Sequence, residues 1–205
     1  MAAFVDGFNC YHRLEDHLRE TGKNLKWLNY AQLLQRVCTE NAQLVQLIRQ
    51  SEASVYYRVH FFTAIPEWRG PEAVDRHARY LSALDSMGVQ VHKGRFSSDR
   101  KEKESDVHLA IQLYRSAALN LADVIVLFSA DTDFVPALRQ VREDFPKKHL
   151  VLVTFKMKQV QGYASLQSQA HQHIRIRLDL MAQCQLPQTI VYEGKTIESP
   201  YRLGG

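Results

Sequence analysis

Short apolar runs alternate with longer stretches of helical period along this 205-residue chain. That alternation predicts an α/β fold with a mainly parallel sheet. The runs cover residues 3–5, 54–62, 89–96, 124–128 and 149–155. Val124-Ile125-Val126-Leu127-Phe128 is the most apolar and reads as the central strand, covered on both faces. Residues 89–96 alternate apolar and polar positions, as a strand exposed on one side does.

Between the runs the period changes to that of helices. One is predicted over residues 11–20 and is broken by Thr21-Gly22-Lys23-Asn24. Asn29 caps a second, with Leu33, Leu34 and Val37 on one face. A third covers 42–50. Residues 72–87 form an amphipathic helix closed by Gly88. Another starts near Asp106, with Val107, Ala110, Ile111, Tyr114 and Ala118 on one apolar face. Residues 134–143 follow, with Pro136 in the first turn. A helix is expected over 166–173, then a short Ile174-Arg175-Ile176 stretch and a helical segment to about 185. Residues 189–192 and 195–197 flank Glu193-Gly194 and read as a β-hairpin tail. No repeat or long linker divides the chain. The expected organisation is one domain over 1–186 with a hairpin extension over 187–205.

Several carboxylates fall where predicted strands end. Asp6 follows the first strand. Asp106 opens a helix, with Glu104 just ahead of it, and Asp131 and Asp133 follow the central strand. Right-handed crossovers point all strands of a parallel sheet one way, so these acids belong on one edge of it. Open parallel sheets bind ligands at that edge. Hard oxygen donors suit Mg²⁺ or Mn²⁺ rather than zinc. Asn9 is placed to bond a phosphate oxygen or orient a carboxylate, and Ser129 and Thr132 are placed likewise on the other loop. Each piece alone also reads as an ordinary turn, a helix cap or a first-turn acid.

Composition narrows the partners. The net charge is +4 and the isoelectric point is near 9.0, which permits a polyanionic partner. Lys93, Arg95, Arg100, Lys101 and Lys103 lead into the middle acids; they are placed to hold a phosphate backbone, although Arg100 and Lys101 read first as a solvated loop. Cys10, Cys38 and Cys184 are far apart and lack metal or disulfide spacing, so reduced thiols are expected. Cys10 is expected as a small buried hydrophobe. No run reaches the length of a membrane span, and a cytoplasmic location with no membrane partner is the expectation.

Read together, three segments carry a family likeness. Phe4-Val5-Asp6-Gly7-Phe8-Asn9-Cys10-Tyr11-His12 resembles the opening motif of NYN-domain proteins, a branch of the PIN-like nuclease superfamily. Residues 102–110 and 127–136 resemble the family's middle and third motifs. The likeness spans residues 4 to about 186. Ala130 and Thr132 stand where the family commonly has Gly and Ser, and Ser105 precedes Asp106 where Gly-Val is frequent. The resemblance implies a Rossmann-like three-layer α/β/α sandwich and a Mg²⁺- or Mn²⁺-dependent ribonuclease. It also implies Asp6, Asp106 and Asp131 as the metal-binding catalytic acids, Asp133 as their support, and Asn9 on phosphate or a ligand carboxylate. The helical insert at 21–50 is longer than the bare fold needs, and would shape substrate access or an oligomer contact such as a homodimer.

Other residues read more plainly. His171 and His173 are expected as exposed helix histidines near RNA. Tyr56 and Tyr57 are expected in the core or on a sheet face, and Trp27 and Trp68 packed under loops. Two rival functions remain: a non-catalytic RNA-binding or protein-interaction module that kept the acids, and a phosphohydrolase with Asp131 as nucleophile.

Overall fold

The computed structural model describes residues 1–49, 56–96, 102–156 and 162–201. The chain opens with β1 (Ala2–Asp6), α1 (Gly7–Thr21), α2 (Tyr30–Glu40), α3 (Ala42–Arg49), β2 (Arg58–Ala64) and α4 (Pro71–Ser86). It continues through β3 (Gln90–Phe96), β4 (Glu102–Lys103), α5 (Ser105–Ala118), β5 (Val124–Phe128) and α6 (Val135–Asp144). It ends with β6 (His149–Phe155), α7 (Ala164–Gln167), β7 (Gln172–Ile176), α8 (Leu178–Gln183) and the hairpin strands β8 (Thr189–Tyr192) and β9 (Lys195–Glu198).

Seven strands form one sheet in the order β4-β3-β2-β1-β5-β6-β7. Its six longer strands run parallel, and only the short edge strand β4 is antiparallel. The period of two along each strand divides the core into two layers. Val5, Phe61, Val126, Phe128 and Val153 face one side, where α1, α2 and α4 cover them with Leu14, Leu33, Leu34 and Leu84. Phe4, Phe62, Ile125, Leu127 and Leu152 face the other, under α5 and α6 with Leu109, Leu113, Leu138 and Val141. The result is an α/β/α sandwich. No helix among the described residues is long and apolar enough to cross a membrane.

Local chemistry sets most boundaries as the pattern predicts. Asn29 caps α2 by accepting from Gln32 N at 3.1 Å. Gly22 ends α1 in the left-handed region at φ 72°, a conformation that costs glycine least. The hairpin is joined to the sandwich rather than hanging from it. Ile190 and Ile197 enter the first core layer, and the Tyr192 hydroxyl donates to Asp85 at 3.0 Å.

Four expectations are corrected. The inward stripe of α5 is Leu109, Leu113 and Ala117, whereas Val107 and Ile111 are 64% and 57% exposed. Two apolar stripes lie side by side on that helix, and the one with the larger leucines takes the sheet. The helix expected over 166–173 is only Ala164–Gln167, and the chain then pairs with β6 as β7. The open edge of β6 offers that segment a full ladder, which overrides its local preference. His171 and His173 therefore stitch the two strands together. His171 Nδ1 accepts from Leu150 N at 3.0 Å, and His173 Nε2 bonds Thr154 Oγ1 at 2.8 Å. Finally, the second strand starts at Arg58, which leaves Tyr56 and Tyr57 exposed ahead of it. The expected start at residue 54 and the end of the third helix at residue 50 lie outside the described residues.

Under α5, aromatic and imidazole rings stack across the strands. His60 lies on Phe4 at 5.1 Å and Phe62 on His92 at 4.5 Å, while His60 Nδ1 meets His92 Nε2 at 3.0 Å. Burial, then His92 and Arg58, push the His60 imidazole down to about 4. Burial and then His108 also lower His92. The folded chain thus refuses protons that the unfolded chain accepts. Stability is complete above the ordinary histidine range near 6.5 and is lost as pH falls from there toward 4. The melting temperature should drop over that interval by less in His60→Phe than in the parent. Identical pH profiles for the two proteins would show that the ring stack does not resist protonation.

Candidate active site

The site is assembled where β1 and β5, parallel neighbours at the sheet centre, both end. The helix after β1 packs into the first core layer and the helix after β5 into the second. The two loops therefore part to opposite faces and open a crevice, the arrangement that binds ligands in open α/β sheets.

Asp6 is the last residue of β1 and is buried. It caps α1, accepting from Asn9 N through Oδ1 at 2.9 Å. Asp6-Gly7 is thus a helix start and not an isolated turn. Gly7 is required by close approach: a Cβ there would lie 2.6 Å from Phe61 Cζ and 2.6 Å from the Phe62 carbonyl oxygen. From β5, the buried Ser129 donates its hydroxyl to Asp6 Oδ2 at 2.8 Å and accepts from Asp131 N at 3.0 Å. Asn9 Oδ1 accepts from Ala130 N at 3.2 Å. The two loops are thus laced together by side chains expected to contact phosphate. The hydroxyl of Ser129 is committed to that framework, whereas Thr132 is exposed.

Asp131 caps a short 3₁₀ turn, Thr132–Phe134, accepting from Asp133 N through Oδ1 at 3.0 Å. Asp106 stands in the first turn of α5. Its carboxyl is raised above the usual range, first by crowding from the protein and then by the negative charges of Asp131 and Asp133. Next to Asp106, Ser105 Oγ is buried and has no hydrogen-bond partner among the described residues.

Among the described residues, no three His, Cys, Asp or Glu side chains form a ready-made metal cluster. Asp106, Asp131 and Asp133 offer carboxylate oxygen alone. That donor set fits Mg²⁺ or Mn²⁺, which take one or two carboxylates and keep several waters. A cation would also offset the repulsion that raises Asp106.

Lys93 and Arg95 are exposed on β3, and Arg95 pairs in register with Lys103 of β4. Arg100 and Lys101 lie outside the described residues. Cys10 is buried, its thiol directed at the Phe128 carbonyl at 3.7 Å. Burial and then Asp6 push its pKa up, so it is a packing residue rather than a nucleophile. The role of Ser129 as a bridge was hidden in the sequence. Its only signal was a hydroxyl between the apolar run and Asp131.

A switch point edged by acids, in a mostly parallel sandwich, defines a Rossmann-like α/β protein. The particular family follows from comparison. The chain matches the NYN domain over residues 1–180 and belongs to that family, within the PIN-like nuclease superfamily. Members of this superfamily are generally dependent on divalent metal. A curated relative, 6-hydroxy-3-succinoylpyridine 3-monooxygenase of Pseudomonas putida, is 24% identical over 95% of this chain and 72% of its own length. A crystal structure of a protein of unknown function from Vibrio parahaemolyticus has the same fold. It aligns with a TM-score of 0.55 and 19% identity over 87% of this chain and 93% of its own.

Proposed function

We propose that this protein is a ribonuclease that hydrolyses RNA phosphodiester bonds with Mg²⁺ or Mn²⁺. The observation that carries the reading is the Asp6–Ser129–Asp131 bridge across the switch-point crevice, with Asp106 in the first turn of α5. A bound divalent ion would supply charge neutralisation at the phosphate and lower the pKa of the attacking water. Asp106 and Asp131 would hold it, with Asp133 in support. Asp6 anchors the arrangement, because both its oxygens accept hydrogen bonds that lock the β1 and β5 loops. The amide nitrogen of Asn9 would donate to a phosphate oxygen while its carbonyl keeps Ala130 in place. Lys93, Arg95 and Lys103 would carry the strand by its backbone. Thr132 would donate from the exposed turn.

Oxygen insertion, the chemistry in the name of the Pseudomonas relative, is not adopted at 24% identity. No observation at the acidic edge favours it over hydrolysis. The metal dependence is tested directly. Purified protein stripped with EDTA should leave a labelled single-stranded RNA intact, and added Mn²⁺ or Mg²⁺ should start cleavage. Binding of RNA in EDTA with no product after Mn²⁺ addition would instead identify a non-catalytic RNA-binding module. Phosphate trapped on Asp131 would identify the phosphohydrolase alternative.

A further inference from the structure

A second concavity opens on the other side of β1 from Asp131. It lies between α1, the end of β2 and α4, and has a volume of about 100 Å³. Its walls are unusually rich in rings: Phe8 and Tyr11 from α1, Phe61 from β2, Tyr80 from α4, Trp68 and Tyr201. Several are fixed from behind. Tyr80 stands edge-on to Phe61 at 6.0 Å and donates its hydroxyl to the Leu28 carbonyl at 2.8 Å. The two rings at the mouth remain open. Phe8 is 37% and Trp68 is 38% exposed, and both rest edge-on against Phe96 at 6.1 and 4.2 Å.

The polar lining is of one sign. Lys26, Arg69 and Arg76 line the pocket, and no acidic residue does among those described. Lys26 is already committed, since its ammonium pairs with Glu15 at 2.5 Å and lies 5.4 Å from the Tyr11 and Tyr201 rings. Arg69 and Arg76 are different. Both are exposed, and neither pairs with a carboxylate among the described residues. Deeper in, Thr63 Oγ1 and His77 Nε2 lie 3.3 Å apart. Burial and then Lys93 push that imidazole down to about 4, so it is neutral at pH 7 and can both donate and accept. Aromatic walls, a neutral donor and acceptor within, and unpaired guanidiniums at the mouth are complementary to a flat polar ring bearing an anion.

We propose that this pocket binds a planar aromatic ring carrying an anionic group, with the chemistry of a nucleotide. The ring stacks against the aromatic walls at the mouth, where Phe8 and Trp68 stand open. The anion meets Arg69 and Arg76. Phe8 lies two residues beyond Asp6, so the pocket adjoins the acidic edge. The nucleotide is therefore either a free mononucleotide or an unpaired residue of a strand lying across that edge. The site does not rest on the nuclease reading, because it uses none of the acids and requires no metal.

The test is calorimetric titration of the full-length chain in EDTA, first with adenosine and uridine 5′-monophosphates and then with a short single-stranded oligouridylate. Saturable binding is expected, with adenosine weaker than its monophosphate. Trp68→Ala and Arg76→Gln should each weaken it about tenfold, the scale of one stacked base or one charge-assisted contact. Arg139→Gln, on the exposed face of α6, should leave it unchanged. Melting temperatures establish that each variant is folded. Saturation by mononucleotides assigns the site to free nucleotide, and saturation by the oligonucleotide alone assigns it to a strand. No saturable binding of either at millimolar concentration overturns the proposal. So does binding that survives intact in both folded variants. Because metal is absent throughout, failure here leaves the cleavage assay untouched, and loss of cleavage in an acid variant leaves this site untouched.

Discussion

Asp131→Asn is expected to lower RNA cleavage in Mn²⁺ by roughly a hundred- to a thousandfold, the usual cost of one missing electrostatic contact to a reacting phosphate or oxyanion. The fold should survive the change. Asparagine keeps an oxygen that can accept from Asp133 N, so the cap of the 3₁₀ turn is retained. The substitution also removes a negative charge that raises the Asp106 carboxyl. Relief of that repulsion makes the variant equal in stability to the parent or slightly better, within about 0.5 kcal/mol. A residue kept for structure would show the reverse, with stability lost and the rate spared. The paired measurements are initial rates on labelled RNA and thermal melting in the same buffer. Cleavage at the parental rate by a folded variant would remove Asp131 from the mechanism and the ribonuclease reading with it.

The same substitution bears on the phosphohydrolase rival. Both readings lose activity at Asp131, but only hydrolysis through a covalent phosphoaspartate leaves phosphate on that side chain in the parent protein. On the proposed reading water attacks directly, and the hydrogen bonds of Asp131 fix its place at the crevice. Asp131 spends one oxygen on the backbone of Asp133, and its own backbone nitrogen is held by Ser129.

Much of this arrangement could be read from the chain because parallel strands buried on both faces must be apolar along their whole length. Val124 to Phe128 and His149 to Phe155 stand out for that reason, and acids placed directly after such runs mark the ligand edge. The family likeness over Asp6, Asp106 and Asp131 rests on the same segments. What escaped has equally physical causes. The period of 3.6 in α5 is satisfied by two neighbouring stripes, and only the sheet beneath decides between Leu109 and Val107. In β7 only Ile174-Arg175-Ile176 alternates, too short a run to mark a strand by itself, and its pairing is dictated by the unfilled edge of β6. The aromatic pocket draws its walls from α1, β2, α4 and Tyr201. No local window contains more than two of those pieces. Ser129 looked like a phosphate contact because its hydrogen bond to Asp6 spans 123 residues.

Trp27→Ala is expected to cost about 3–5 kcal/mol, the range for truncating a fully buried large aromatic. Trp27 has no exposed surface. Its ring packs near Tyr80 at 5.6 Å and Tyr201 at 6.4 Å, and its indole nitrogen donates to the Pro187 carbonyl at 2.9 Å. Its own carbonyl accepts from Leu186 N at 2.8 Å. The residue thus fastens the segment entering the hairpin to the α1–α2 connection, across 160 positions of sequence. Truncation opens a cavity and also leaves a carbonyl without its donor. Against a total of about 5–15 kcal/mol for a domain of this kind, that loss takes a large share. Urea unfolding followed by far-ultraviolet circular dichroism should show an early midpoint with Ala. Trp27→Phe fills much of the cavity but cannot bond Pro187, so it should fall between parent and Ala. A loss near 1 kcal/mol or less, the ordinary cost of a single substitution, would mean that the hairpin is held elsewhere. If the larger loss is seen, nucleotide affinity at the pocket should fall with it even where the variant remains folded, because Trp27 backs the Tyr80 and Tyr201 walls.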